Sequence, residues 1–138
     1  MLSLSAKSIY GLRATLLLAE YHQQGRLSIR EIAGRRNIPR QYLEQIFNRL
    51  TRAGIIKSVR GKFGGYQLAR PPADLKVSEI IAALEGAIEL AGEDNDPADV
   101  INELLGRAEE ALTEVFSMSL AELAEMSRRK RAIINFTI

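Results

Sequence analysis

Three observations on this 138-residue sequence predict a mainly α-helical fold carrying one short β-hairpin. Apolar residues recur at helical spacing through most of the chain, and two complete helix-start signals punctuate them. A single glycine-rich turn, Arg60-Gly61-Lys62-Phe63-Gly64-Gly65, joins two short β-prone runs. The charge is divided: residues 1–76 hold 14 Lys and Arg against 4 Asp and Glu, net +10, whereas residues 77–138 hold 5 against 13, net −8. A basic half followed by an acidic half suggests a polyanion-binding unit joined to a segment that does not touch the polyanion.

The elements read in order as follows. Residues 6–22 form a helix with Ile9, Leu12, Leu16 and Ala19 at helical spacing, Leu17 and Tyr21 beside them, Ser5 as N-cap and Gly25 as terminator. Ser28 and Glu31 make a capping box, stapled by Leu27 and Ile32, that opens a short second helix stopping near Arg36-Asn37. Pro39 opens the third helix. There Leu43, Ile46, Phe47 and Leu50 mark a buried face, while Arg40, Gln41, Glu44, Gln45, Asn48, Arg49 and Arg52 lie outside it and Gly54 ends it. Residues 55–59 and 66–68 are the two strands, with glycines supplying positive φ in the turn between them, and Pro71-Pro72 closes the unit.

A short helix from Val77 to Leu84 ends at Gly86. Ile88 to Leu90 is a strand or an extended link, and Gly92-Glu93-Asp94-Asn95-Asp96 an acidic loop. Asp96 caps the longest helix, with Pro97 in its first position. Its apolar stripe is Val100, Ile101, Leu104, Leu105, Ala108, Ala111, Leu112, Val115 and Phe116, and about 20 residues would span about 30 Å. Ser119 and Glu122 make a second capping box, stapled by Met118 and Leu123. The last helix runs to about Arg131, with Arg128-Arg129-Lys130-Arg131 at its C-terminal end, where cations complement the helix dipole. Met118 and Met126 read as gap-filling core, and Arg35 and Arg36 equally as phosphate contacts or solvated charges.

Composition narrows the function. The chain is 46% hydrophobic and 26% charged, as soluble globular proteins are. No run approaches the roughly 18 apolar residues of a membrane helix. The opening Met1-Leu2-Ser3-Leu4-Ser5 lacks the basic and apolar regions of an export signal, so a cytoplasmic protein is expected. The absence of cysteine excludes disulfides, thiol catalysis and cysteine-ligated metals within the chain, and one histidine, His22, excludes a multi-histidine site. Caps and a solvated loop explain Glu93, Asp94, Asp96 and Asp99 better than a divalent cation does. With no nucleophile–base set and no phosphate loop, neither an enzyme nor a cofactor is expected.

A helix pair followed by a basic hairpin defines a winged helix-turn-helix, which seats its last helix in the major groove of DNA. Arg40, Gln41, Glu44, Gln45, Asn48 and Arg49 are the base-reading candidates: Arg suits guanine, Gln and Asn adenine, Glu cytosine. Lys7, Arg30 and the start of the second helix at Ser28 are phosphate-contact candidates. Lys62 adds either a backbone contact or a solvated charge.

Taken together, Leu4 to Ala14, Ile29 to Ala33, Tyr42-Leu43-Glu44-Gln45, Leu50, Gly54, Val59-Arg60-Gly61, Gly64 to Arg70 and Ala83 to Gly86 resemble the Rrf-two (BadM-type) winged-helix transcription regulators. Residues 110–112 and 119–123 match more loosely. The resemblance implies a winged-helix unit over residues 1–86 and dimerisation helices with a tail over 87–138. It points to Gln41 and Glu44 for bases, to Pro39 and Tyr42 within the same contact set, and to Arg60 for the minor groove. Two departures stand out. Many members hold an iron–sulfur cluster through three cysteines between the short fourth helix and the long one, where Ile88 to Leu104 has none. Lys62-Phe63 also replaces the Pro-Gly common at the wing turn.

The expected protein is thus a cluster-free homodimeric repressor of double-stranded DNA, with a pseudo-palindromic operator and with Ile101, Leu104, Leu105, Ala108, Leu112, Val115 and Phe116 in the dimer interface. The tail Asn135-Phe136-Thr137-Ile138 resembles the isoleucine-terminated tail with which serine acetyltransferase occupies cysteine synthase. That likeness makes Phe136 and Ile138 partner-binding candidates, beside the plainer reading of a tail packed on the dimer. It also links the chain to cysteine metabolism, in which a cluster-free branch of the family represses genes. The alternative function is a winged-helix interaction module that docks a metabolic enzyme through its C-terminal half.

Overall fold

The computed structural model describes residues 2–62, 64–91, 94 and 96–137, save the side chains of Phe136 and Thr137. Phe63, Glu93, Asn95 and Ile138 therefore lie outside the described residues.

Helix α1 (Ala6–Glu20) begins where Ser5 Oγ accepts the Ser8 N–H at 3.3 Å. It ends two residues earlier than its periodicity suggests, and His22–Gln24 form a 3-10 turn before Gly25. Its buried face also differs. Ser8, Gly11, Ala14, Thr15 and Leu18 face the core, while Ile9 is exposed and Leu12 and Leu16 are half-buried. The reason is close approach: a Cβ on Gly11 would overlap Leu84 Cδ1. Thr15 satisfies its buried hydroxyl on the Gly11 and Leu12 carbonyls at 2.9 and 3.1 Å.

Helix α2 (Ile29–Arg36) carries the reciprocal Ser28–Glu31 capping box and ends at Asn37, held in the left-handed region at φ 53°. Pro39 is the N-cap of α3 (Arg40–Arg52), one position ahead of the expected slot. Strands β1 (Ile56–Val59) and β2 (Gly65–Leu68) pair antiparallel, with Ile56 opposite Leu68 and Val59 opposite Gly65. Leu27 adds a third segment by exchanging hydrogen bonds of 3.0 and 2.8 Å with Tyr66. A 3-10 turn at Pro72–Asp74 leads to α4 (Val77–Glu85). Residues 88–90 form no strand.

Helix α5 (Val100–Phe116) starts later than expected. Asp99, not Asp96, caps it by accepting the Ile101 N–H at 2.9 Å. Asp96 instead closes a turn on the Ala98 N–H at 2.9 Å, with Pro97 inside that turn. Helix α6 (Leu120–Thr137), opened by the Ser119–Glu122 box, has 18 residues to the 17 of α5 and is the longer of the two. It continues past Arg131, so the basic cluster lies within the helix rather than at its end. Arg128 and Arg129 pair with Glu125 one turn back, and the carboxyl of Glu125 is held down to about 2 by Arg128 first and then Arg129. Arg131 reaches Glu20 at the end of α1. Met126 is exposed, not core.

One core unites these elements. Leu17 and Leu18 of α1, Ile32, Ile38, the α3 stripe, Ile55, Ile56, Leu68, Leu75 and Ile80 form it, and Leu120 joins from the C-terminal half with no exposure. Glu20 reinforces the seam: its carboxylate, 7% exposed, accepts Arg36 of α2 at 2.5 Å as well as Arg131 of α6. Arg35 stacks over the Tyr21 ring at 4.5 Å. Both arginines of that pair are thus held by the protein.

Candidate nucleic-acid interface

The amphipathy of α3 decides what the surface offers. Leu43, Ile46, Phe47 and Leu50 are at most 1% exposed, and burying each contributes about 1.5–3 kcal/mol. That anchoring turns Arg40, Gln41, Glu44, Gln45, Asn48 and Arg49 outward. Among the described residues the side chains of Arg40, Gln41, Glu44, Gln45 and Asn48 have no hydrogen-bond or ion partner. Buried polar groups find partners; a row of unpartnered amides on a rigid helix is a surface with donors and acceptors to spare.

Arg49 is placed differently. Its guanidinium donates to the Leu84 carbonyl at 3.0 Å and ties α3 to the last turn of α4. Tyr42 is half-buried, its ring 5.7 Å from that of Tyr10 and tilted by 39°. Pro39 and Arg40 sit exposed at the helix start. The hydroxyl of Ser28 is spent on the Glu31 N–H at 3.1 Å, so what Ser28 presents outward is the amino end of α2, beside the exposed Arg30.

The same α4 terminus holds the start of α1. Glu85 Oε1 accepts the Ser5 N–H and, at 3.0 Å, the Ser8 hydroxyl. The hydroxyl and N–H of Ser5, and then Ser8, hold the Glu85 carboxyl below its usual range. Lys7 lies between these two serines, half-buried in the first turn. Its placement relative to α3 is set by this clasp together with the direct packing of Tyr10 on Tyr42.

The wing is fixed to α3 by Tyr66, whose ring lies 4.6 Å from that of Phe47 at 56°. Arg60 is exposed where β1 ends, and Lys62 is exposed on the turn. Gly64 and Gly65 adopt positive φ, as the turn composition suggests, but Gly61 does not. Sequence reasoning passed over Arg26, which donates from Nε to the Gly64 carbonyl at 3.2 Å. It also passed over Glu85 and Tyr66, which hold other residues of the site. The unexplained third glycine was the one available signal for Arg26.

No residue of α5 is buried. Ile101, Leu104 and Val115 are 55%, 58% and 64% exposed. Leu112 is exposed, and Leu105, Ala108 and Phe116 are half-buried. Leu112 and Phe116 also line an apolar cavity of about 280 Å³ with Leu2, Ser3, Leu4, Ile88 and Leu90.

Comparison with known proteins places these features. The family model described as Rrf2, iron-dependent transcriptional regulator, matches residues 4–126. The HTH-type transcriptional regulator CymR of Bacillus subtilis is 36% identical over 140 residues, covering 99% of this chain and all of that one. Its solved structure, the global cysteine regulator of B. subtilis, superposes with a TM-score of 0.82 over 91% of this chain and 98% of that chain, at 38% identity. The IscR of T. potens gives 0.79 at 35% identity, over 91% and 88% of the two chains. The chain belongs to the Rrf2 family. It is a DNA-binding transcriptional regulator of winged-helix fold, similar over its whole length to CymR, and the family is not one of enzymes. The family description names iron. The chain has no cysteine, and among the described residues no three His, Asp or Glu side chains gather to hold an ion. No helix among them is long and apolar enough to cross a membrane.

The Glu85 clasp has a pH signature. Its folded-state pKa lies below the ordinary 4.5, so the stability it contributes is present above that value and is lost as pH falls through the folded value. In an NMR titration the Glu85 carboxyl should reach its midpoint below 4.5, and Glu85→Gln should flatten the acid limb of urea stability. A midpoint at or above 4.5 would show that the clasp does not form.

Proposed function

We propose that this protein is a homodimeric, sequence-specific repressor that reads a pseudo-palindromic site in double-stranded DNA. Residues 1–86 take the DNA, with α3 of each subunit in a major groove and the wing alongside. Residues 87–138 take self-association. The observation that carries this reading is the exposed, unpartnered row Gln41, Glu44, Gln45 and Asn48 on a helix whose opposite face is buried. Amides and carboxylates on such a row match the base edges of the major groove. Arg40 stands at the head of that row. Lys7, Arg30, Arg60 and Lys62 supply the cations for phosphate neutralisation, and affinity falls steeply with salt as a result. Arg49 acts by holding α3 in place.

Self-association is supported by the uncovered stripe of α5, since a two-fold axis through it would bury Ile101, Leu104, Leu112 and Val115 and match a two-fold operator. The repressor works in the cytoplasm and without an iron–sulfur cluster, because the chain supplies no thiolate to ligate one. Whole-length likeness to a global cysteine regulator supports a link to genes of cysteine or sulfur metabolism. Cysteine synthase is the partner that this reading suggests, through Phe136 and Ile138.

Three measurements test the parts. In gel shifts on a selected operator, Gln41→Ala and Glu44→Ala should each lose about 1–3 kcal/mol of discrimination between right and wrong base pairs. Wild-type footprints from both variants would mean that α3 is not the reading element. Leu104→Glu should sediment as a monomer and lose operator binding together with dimerisation; a dimer at wild-type concentration would move the interface elsewhere. Deleting Ile138 should abolish calorimetric binding to cysteine synthase, and unchanged binding removes that partner.

A further inference from the structure

Gly61 has no conformational reason to be glycine. Among the turn glycines, Gly64 sits at φ +54° and Gly65 at +154°, whereas Gly61 lies outside the positive-φ region. A side chain at Gly61 would have to displace the end of Arg26: a Cβ there would stand 2.7 Å from Arg26 Nη2 and 3.1 Å from Cζ. A Cβ on Gly65 would meet the stem of the same side chain, 3.0 Å from Cγ and 3.1 Å from Cβ and Cδ. Between these two glycines Arg26 Nε donates to the Gly64 carbonyl at 3.2 Å. The neighbouring Leu27–Tyr66 bridge, with hydrogen bonds of 3.0 and 2.8 Å, holds the Arg26 backbone in register with β2. Arg26 thus lies along the whole glycine face of the turn.

A second fact bears on its role. The Arg26 guanidinium has no carboxylate partner among the described residues, and it lies on the turn that carries the exposed cations Arg60 and Lys62. Arg26 and Arg60, neither with a carboxylate partner among the described residues, stand on one short turn, where like charges repel. A polyanion relieves that repulsion.

We propose that Arg26 is a positioning residue for the wing: by filling the glycine trough it holds the turn in the shape that delivers Arg60 to DNA. The proposal rests on the DNA-reading role given to α3 and the wing above. Pre-organisation of this kind lowers the ordering cost of binding and adds no contact of its own.

The test uses the full-length protein and a duplex that the wild type selects from a random-sequence pool, beside an unrelated duplex of equal length. Affinities are read by fluorescence anisotropy at two salt concentrations, and folding by thermal melting. Arg26→Ala should weaken the selected duplex about tenfold, with the unrelated duplex, the salt slope and the melting temperature unchanged. Arg26→Lys should fail to rescue, since an ammonium cannot reproduce the Nε–H to Gly64 and the flat packing on Gly61. Gly61→Ala should reproduce Arg26→Ala by expelling the guanidinium, and the double variant should be no worse than either single one. Wild-type affinity from Arg26→Ala overturns the proposal, as do additive losses in the double variant. Equal loss on both duplexes with a salt slope lower by about one also overturns it, making Arg26 a phosphate contact instead. If the wild type selects no sequence at all, the DNA-reading role falls first and takes this one with it.

Discussion

Burial of one face of α3 is the constraint from which the rest of the molecule follows. Leu43, Ile46, Phe47 and Leu50 fill the centre of the core, so the helix cannot roll without exposing them. Its outer row is therefore held at a constant angle to everything that packs on the same core. Phe47 touches Tyr66 and so carries the wing. Arg49 holds the carbonyl end of α4, whose next residue, Glu85, takes the start of α1. Helix α3, the hairpin and the first turn of α1 are thereby tied together, although they come from three stretches of chain. For the DNA contact proposed above, such ties lower the cost of ordering the contacting groups on binding.

The two halves of the chain solve opposite problems. In the basic half, hydrophobic residues are consumed by the core and the surplus on the surface is polar and cationic. In the acidic half, α5 keeps its apolar stripe outward and has no buried residue of its own. Leu120 and the Glu20–Arg131 pair then return the chain to the first core. Helix α5 is thus held near its middle, through the residue 88–91 link, and at its C-terminal end, through α6, while its stripe stays open. The link itself is fastened by Glu109, whose carboxylate accepts the N–H groups of Leu90 and Ala91 at 2.5 and 3.0 Å. These hydrogen bonds, with Ala91 the stronger influence, keep the Glu109 carboxyl below its usual range.

Legibility followed the kind of signal each residue leaves. Helix α3, both capping boxes and the strand pair were readable because they rest on contacts within a few residues, where period and cap chemistry apply. The buried face of α1 was misread because Ser8, Gly11, Ala14 and Thr15 are small or polar and leave no hydrophobic trace. They are buried for their size, to admit α4. Two acidic residues, Asp96 and Asp99, competed for one helix start, and the turn at Pro97 settled it for the second. The far end of α6 was cut short because four consecutive basic residues resemble a helix terminus, yet Glu125 and Glu20 neutralise three of them from within the fold.

Local chemistry alone dictated where helices begin, which side of α3 is apolar, where the hairpin turns and which half of the chain carries positive charge. These depend on neighbours in sequence. Partnership across the fold assigned the rest: that Arg49 is tied to α4 whereas the Gln41 and Glu44 side chains have no partner among the described residues, that Glu85 secures the start of α1, that Leu27 joins the sheet and that Arg26 lies against Gly61. These depend on residues 35 to 77 positions apart meeting at about 3 Å. No periodicity encodes such a meeting, because it comes into being only when the whole core closes.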